Sequence, residues 1–339
     1  MPPRLHAIFH RQVPGDEALL RLAQARLAAA GVLPEFYPGS PDDLDRALAF
    51  HPLPGQPFRV HLPRDARLLE EKGRDLVCAF AGRFRDQPAG LLVHDQPELA
   101  SRFDDYAAAV RALDAGLRRQ GPGPVVHIEY AAGVPAEAFV ALFEAVKDCP
   151  RVAACVDISH VGIRQCQRAY ERLHPGEDVC HLKWNHPALP GRVGDVQSAC
   201  ATALPVVVQM VTALGRLGRP LHFHLHDGHP ASTFSAYGVS DHLSFDHDIP
   251  IAFRWRGGWT LPTLYGPLGL KRIVDEARRA LPDERLSLTL EIHPQQGRLP
   301  LGEDADLFAH WRDKANAERM NDWIEILVRN QRLLRAVLG

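Results

Sequence analysis

The heptapeptide Leu221-His222-Phe223-His224-Leu225-His226-Asp227 alternates three histidines with three apolar residues. Side chains alternate across a β-strand, so His222, His224 and His226 share one face and Leu221, Phe223 and Leu225 the other. An amphipathic helix would space its apolar residues three and four apart instead. The stretch is therefore a strand with one face to pack and one face of imidazoles.

Runs of the same kind recur on both sides of it. Strands are expected at Leu5–Phe9, Glu35–Tyr37, Phe58–Leu62, Gly90–His94, Val125–Glu129, Val152–Asp157, Leu221–His226 and Leu286–Glu291. Helices are expected at Asp16–Ala30, Ser101–Gln120, Ala136–Asp148 and Leu268–Ala280, and a polar-amphipathic stretch runs from Asp304 to Leu338. Gly31 and Gly121 follow two of these helices as stop signals. Eight strands separated by helical sequence predict an α/β fold, a (β/α)8 TIM barrel. A doubly wound open sheet is the runner-up, but no Gly-x-Gly-x-x-Gly follows the first strand. The 339 residues are expected to form a single domain, 1–339, with two long insertions at the C-terminal face, at about 162–200 and 228–268.

The charge balance narrows the partners. Lys and Arg number 39 against 41 Asp and Glu, a formal net charge of −2, which argues against coating nucleic acid or an anionic membrane. Six cysteines with no C-x-x-C pair exclude a zinc ribbon, and buried thiols in a reducing compartment are expected. The N-terminus lacks the apolar run of a signal peptide, and Ala201–Leu214 is too short to span a bilayer. A cytoplasmic protein follows as the expectation, and a homo-oligomer stays open. The 18 histidines are the compositional anomaly.

Strand parity gathers them. In Val125-Val126-His127-Ile128-Glu129, His127 and Glu129 face away from the apolar side. Asp157 of Val152–Asp157 and Glu291 of Leu286–Glu291 do the same. His61 and His94 fall at the ends of two further strands. Alone, a strand histidine is more often a satisfied core residue, the reading given to His127 and His222. Glu129, Asp157, His224 and Glu291 together read as one site, because buried carboxylates are costly unless paired or bound to a cation. Mixed N and O ligands suit Mn, Zn, Co or Fe(II) better than an all-oxygen calcium site.

Glu129, Val156-Asp157-Ile158-Ser159-His160 with its Asp-x-x-His, His224-Leu225-His226-Asp227 and Leu290-Glu291-Ile292 resemble, in this order, the xylose-isomerase-like TIM barrels. That superfamily holds sugar isomerases and epimerases, inosose dehydratases and endonuclease IV phosphodiesterases. In the epimerase branch the resemblance implies one divalent metal (Mn, Zn, Co, Fe or Mg) on Glu129, Asp157, His224 and Glu291. Glu129 and Glu291 are then catalytic proton carriers and His160 contacts the sugar. In the endonuclease branch, His61, His94, His160 and His242 join as further metal ligands. That branch carries an Asp-x-His, whereas Asp241 and His242 are adjacent here.

Three functions follow as expectations. The first is an isomerase or epimerase acting on a sugar, keto acid or cyclitol through an enediolate. Trp184 and Trp255 (or Trp259) would stack on such a substrate, and Lys183, Arg254 or Arg256 would hold an anionic group. The second is metal-dependent phosphodiester hydrolysis. The third is a barrel that only binds a metabolite or partner, which gives no reason for two buried glutamates.

Overall fold

The computed structural model describes residues 3–8, 17–49, 55–87, 89–182, 186–230, 234–235, 238–239, 242–246, 254–255, 258–259, 264–292 and 317–339. Eight parallel strands close into a barrel: β1 (Arg4–Ile8), β2 (Leu33–Phe36), β3 (Phe58–His61), β4 (Ala89–His94), β5 (Val125–Glu129), β6 (Val152–Asp157), β7 (Leu221–Leu225) and β8 (Leu286–Leu290). They pair in the order β1-β8-β7-β6-β5-β4-β3-β2, closing on β1. The expected (β/α)8 architecture is what the chain adopts.

Helices alternate with the strands around the outside: α1 (Glu17–Ala29), α2 (Pro41–Leu48), α3 (Glu71–Arg83), α4 (Glu98–Ser101), α5 (Phe103–Arg119), α6 (Ala136–Ala145), α7 (Ile158–Leu173), α8 (Leu189–Cys200), α9 (Ala203–Gly215), α10 (Gly266–Ala280) and α11 (Ala317–Leu338). Ser40 starts α2 by accepting from the Asp43 amide at 3.2 Å, with Pro41 in the first turn. Within 162–200, α7 runs on through Gly162, and α8 packs on it through Tyr170, Leu189 and Val196, a cluster that Val179 of the turn between them joins. The apolar stretch Leu189–Gly215 is long enough to cross a membrane by composition, yet it breaks at Ala201-Thr202. The buried face of α9, including Val207, Val211 and Leu214, belongs to the main core.

That core is the layer between barrel and helices. Val126, Ile128, Val156, Phe223, Leu225, Leu288 and Leu290, the apolar set of each strand, are all buried in it. Burying one such side chain fully contributes about 1.5–3 kcal/mol, so this shell carries the stability. The opposite parity fills the barrel interior, which in most such barrels is packed with branched apolar residues. Here it is polar: His6, Glu35, Arg59, His61, His127, Glu129, Cys155, Asp157, His222, His224, Ser287 and Thr289 come from seven of the eight strands. A hydrogen-bonded column runs along the axis. Arg59 donates to Ser287 Oγ (2.7 Å), Ser287 Oγ meets His222 Nδ1 (2.8 Å), and His222 Nε2 meets Thr289 Oγ1 (3.1 Å). Thr289 donates to Glu35, whose other oxygen meets His224 Nε2 at 3.0 Å. His222 is thus the satisfied core histidine expected of it. His127 is buried as expected, but neither of its ring nitrogens has a hydrogen-bond partner.

Candidate metal centre

Parallel pairing sets the strand ends side by side. His94 of β4 lies opposite Glu129 of β5, and Asp157 of β6 opposite His224 of β7. Glu291 follows β8, its amide still donating to Leu225 O at 3.1 Å. Ligand atoms of Glu129, Asp157, His224 and Glu291 all lie within 4.8 Å of one another. The four residues singled out in the sequence therefore converge on one point at the C-terminal mouth, where barrel enzymes place their chemistry.

Two further groups flank them. His61 and His94 gather on Glu129, whose Oε2 lies 2.9 Å from His61 Nε2 and 3.7 Å from His94 Nε2. On the other side, His160, His226 and His242 form a third group. Asp157 borders it, with His226 Nε2 at 3.1 Å and His160 Nε2 at 3.4 Å. His226 and His242 stack, with centroids 4.0 Å apart and planes 4° from parallel. His242 thus reaches the site although no Asp-x-His spacing precedes it.

The second contacts prepare the histidines as ligands. Nδ1 of His61, His160, His226 and His242 lies 2.9–3.2 Å from a backbone carbonyl, of Leu62, Tyr130, Asp227 and Glu291 respectively. A carbonyl can only accept, so each Nδ1 carries the proton and each Nε2 is turned to the mouth. This is the usual way a protein fixes the tautomer of a metal-binding imidazole. Asp157 is held likewise: Oδ1 caps α7 by accepting from the amides of Ser159 (3.0 Å) and His160 (2.8 Å). The Asp-x-x-His spacing follows from that cap, because the first helical turn returns His160 to the carboxylate.

The electrostatics agree. Burial pushes the Glu129 carboxyl up, but His224, His94 and His61 outweigh it and hold it well below the ordinary range. His160 and His226 likewise outweigh burial at Asp157, so it too stays ionised. Burial lowers His224, but Cys155, Glu129 and Glu35 raise it well above an ordinary imidazole. The donors fit a cation on a further observation. His224 Nδ1 and Glu291 Oε2 lie 2.7 Å apart, yet neither makes a hydrogen bond, and Nε2 of His61 and Nε2 of His94 meet at 3.2 Å. Ligand-type nitrogen and oxygen atoms are thus crowded at one mouth, as a cation site requires.

Sequence reasoning missed three contributors. Glu35, fully buried, binds His224 from across the barrel, and its signal was a lone acid on an otherwise apolar strand. His226 was placed on the right face but not among the ligands. Asp227 accepts from the amides of Gly228 (2.8 Å), Tyr265 (3.1 Å) and Gly266 (2.7 Å), and so ties the end of the 228–268 segment to β7. Within that segment Leu243 bridges to Asp227, and the Phe245 amide donates to Asn330 of α11 at 3.0 Å. Lys183, Trp184 and Arg256 lie outside the described residues, as do the side chains of Arg254, Trp255 and Trp259.

No protein-family model matches the chain, and neither does any curated protein. Among solved structures, it is similar to a xylose isomerase-like TIM barrel protein from Mycobacterium smegmatis in complex with magnesium, with 12% identity and a TM-score of 0.46 over 96% of this chain and 98% of that one.

Proposed function

We propose that the chain is a divalent-metal-dependent enzyme whose barrel mouth holds more than one ion, and that it hydrolyses a phosphoester of a small molecule. One observation carries the reading. Of the four metal-capable groups among the described residues, the three at the mouth are joined through carboxylates, Glu129 being common to two of them and Asp157 bordering the third; the fourth, Cys155, His222 and His224, lies deeper in the barrel. A mononuclear epimerase centre has no use for His61, His94, His160, His226 and His242 around it. Ions bound there supply Lewis acidity and charge neutralisation at neutral pH.

The chain's own residues do the rest. Glu129 and Asp157 stay ionised and would hold ions between the neighbouring ligand groups. Glu291, whose side chain is 14% exposed, stands at the rim and takes the proton of the attacking water. His94, neutral because burial lowers it to about 3, adds a ligand without adding charge. The near-neutral charge balance supports a small-molecule substrate over nucleic acid. We read residues 1–339 as one barrel domain whose 162–200 and 228–268 segments border the mouth or the outer wall. The six free cysteines suit a cytoplasmic setting.

A second reading rests on a different observation. Glu129 and Glu291 approach His224 Nδ1 together, at 3.3 and 2.7 Å, so two carboxylates flank one position, as proton transfer on a sugar, keto acid or cyclitol requires. One experiment separates the readings. The metal-loaded protein is incubated in D2O with ketoses, hydroxy-keto acids and inososes, and in parallel with a panel of simple phosphodiesters and phosphomonoesters. Metal-dependent cleavage without carbon-bound deuterium, read as phosphate from a monoester or as alcohol plus monoester from a diester, supports hydrolysis. Deuterium next to the carbonyl, with no cleavage, replaces it by isomerisation or epimerisation.

A further inference from the structure

The opposite end of the barrel holds a cavity of about 380 Å3. Arg4, Arg59, Arg85, Arg285, His127 and Ser287 are on its wall. Arg4 opens β1 and Arg59 lies at the lower end of β3, so both enter from the N-terminal mouth. Arg285 precedes β8, and Arg85 follows α3. Four arginines therefore line one space whose lining includes a single carboxylate, Glu284.

The fold makes room for this arrangement. A Cβ at Gly90 of β4 would stand 1.6 Å from Arg59 Nη1, so the glycine leaves the volume that the guanidinium occupies. The other guanidine contacts are with neutral or outlying groups. Arg59 donates to Ser287 Oγ at 2.7 Å, Arg285 to Gly218 O, and Arg85 reaches Asp86, outside the wall, at 3.4 Å. His127, 2% exposed, lines the same cavity with neither ring nitrogen hydrogen-bonded. Burial pulls Arg59 down to about 10, against the pull of Glu35, and the nearby Arg4 charge adds to that lowering.

Like charges at close range cost stability, and the N-terminal face of a barrel ordinarily serves stability. Arginine forks around a cavity are matched by the oxygens of phosphate or carboxylate groups. The volume lies within the range of about 300–1,000 Å3 for small-molecule sites, larger than one such group needs. We propose that the N-terminal mouth is a binding site for a small multivalent anion, gripped by Arg4, Arg59, Arg85 and Arg285 and remote from the metal centre. The shared chemistry is two or more anionic groups a few ångströms apart.

Calorimetric titration of the metal-free chain tests this, with pyrophosphate and citrate as the phosphate and carboxylate probes. Wild type should bind one equivalent of at least one probe, more weakly as salt rises. The better binder names the class. Arg4→Gln combined with Arg285→Gln, both exposed at strand edges, should weaken that binding at least tenfold. Asp157→Asn, at the other mouth, should leave it unchanged. Binding of neither probe, equal affinity in the double-arginine variant, or loss in Asp157→Asn alone would overturn the proposal.

Discussion

His224 Nε2 and Glu35 Oε1 meet at 3.0 Å although β7 and β2 are separated in the barrel by β8 and β1. The contact spans the barrel interior and fixes the ring that presents Nδ1 to Glu129 and Glu291. Glu35 itself stays ionised: burial pushes it up, but His224 and His222 hold it well below the ordinary range. An anionic partner behind an imidazole orients it and raises its basicity as a ligand. Glu35→Gln should therefore weaken divalent-metal binding by about 10- to 100-fold, read by competition with a chromophoric chelator, while circular dichroism stays native. Unchanged affinity would mean that Glu35 only fills space.

Asp227 serves the polypeptide rather than the metal. Its two oxygens take three backbone amides, and Tyr265, placed by that contact, donates its hydroxyl to Ile158 O at 2.5 Å. Asn at this position turns an NH2 toward an amide that needs an acceptor. Leaving one buried donor unsatisfied costs about 1–3 kcal/mol. Urea unfolding of Asp227→Asn should show that loss with metal content intact. A variant as stable as wild type would show that the segment is held by other contacts.

The parts of this molecule that were legible in the sequence are those where a local period reports a distant partner. Alternation in Val125–Glu129, Val152–Asp157 and Leu221–Leu225 sorts each strand into a helix-facing and a barrel-facing set, so Glu129, Asp157 and His224 could be assigned to one mouth. Glu35 could not be weighed that way. It opened the short run Glu35–Tyr37, and its partner His224 is 189 residues away. The interval after Asp157 reads as carrying an insertion because it is too long for a plain helical crossover, and among its described residues lie the three helices α7, α8 and α9. The three-and-four spacing of Val207, Met210, Val211 and Leu214 was present in α9, but the continuous apolarity around it masked the period.

Acid should unfold the metal-free chain early. Burial lowers His94 to about 3, His222 to about 4 and His229 to about 3. An unfolded histidine titrates near 6.5, so between these values the unfolded chain binds more protons than the folded one. Stability then falls with falling pH, by about 1.4 kcal/mol per unit for each proton. His61, His224 and His226 are held above the ordinary value despite burial, by Glu129, by Cys155 with Glu129 and Glu35, and by Asp157 respectively; their contribution is present at low pH and lost as pH rises through their folded pKa. Urea midpoints across the window from about pH 4.5 to 6.5 should show the multi-proton slope, and His229→Gln should remove one proton from it. A flat profile would mean that these rings are charged in the folded chain.

The ions should displace protons from the raised imidazoles, since a ligand nitrogen must be deprotonated. Titration calorimetry in buffers of differing ionisation enthalpy should register release of more than one proton per chain near neutral pH. Release of none would place the ion away from His61, His224 and His226.

The number of ions that share Glu129 is the most direct test of the site. Metal-free chain reconstituted with Mn2+ should hold two or three ions by elemental analysis. Its electron paramagnetic resonance should show spin-coupled ions, as expected for centres about 3.5–4 Å apart, and Glu129→Gln should lose that coupling. One uncoupled ion per chain, unaffected by Glu129→Gln, would contradict the joined site.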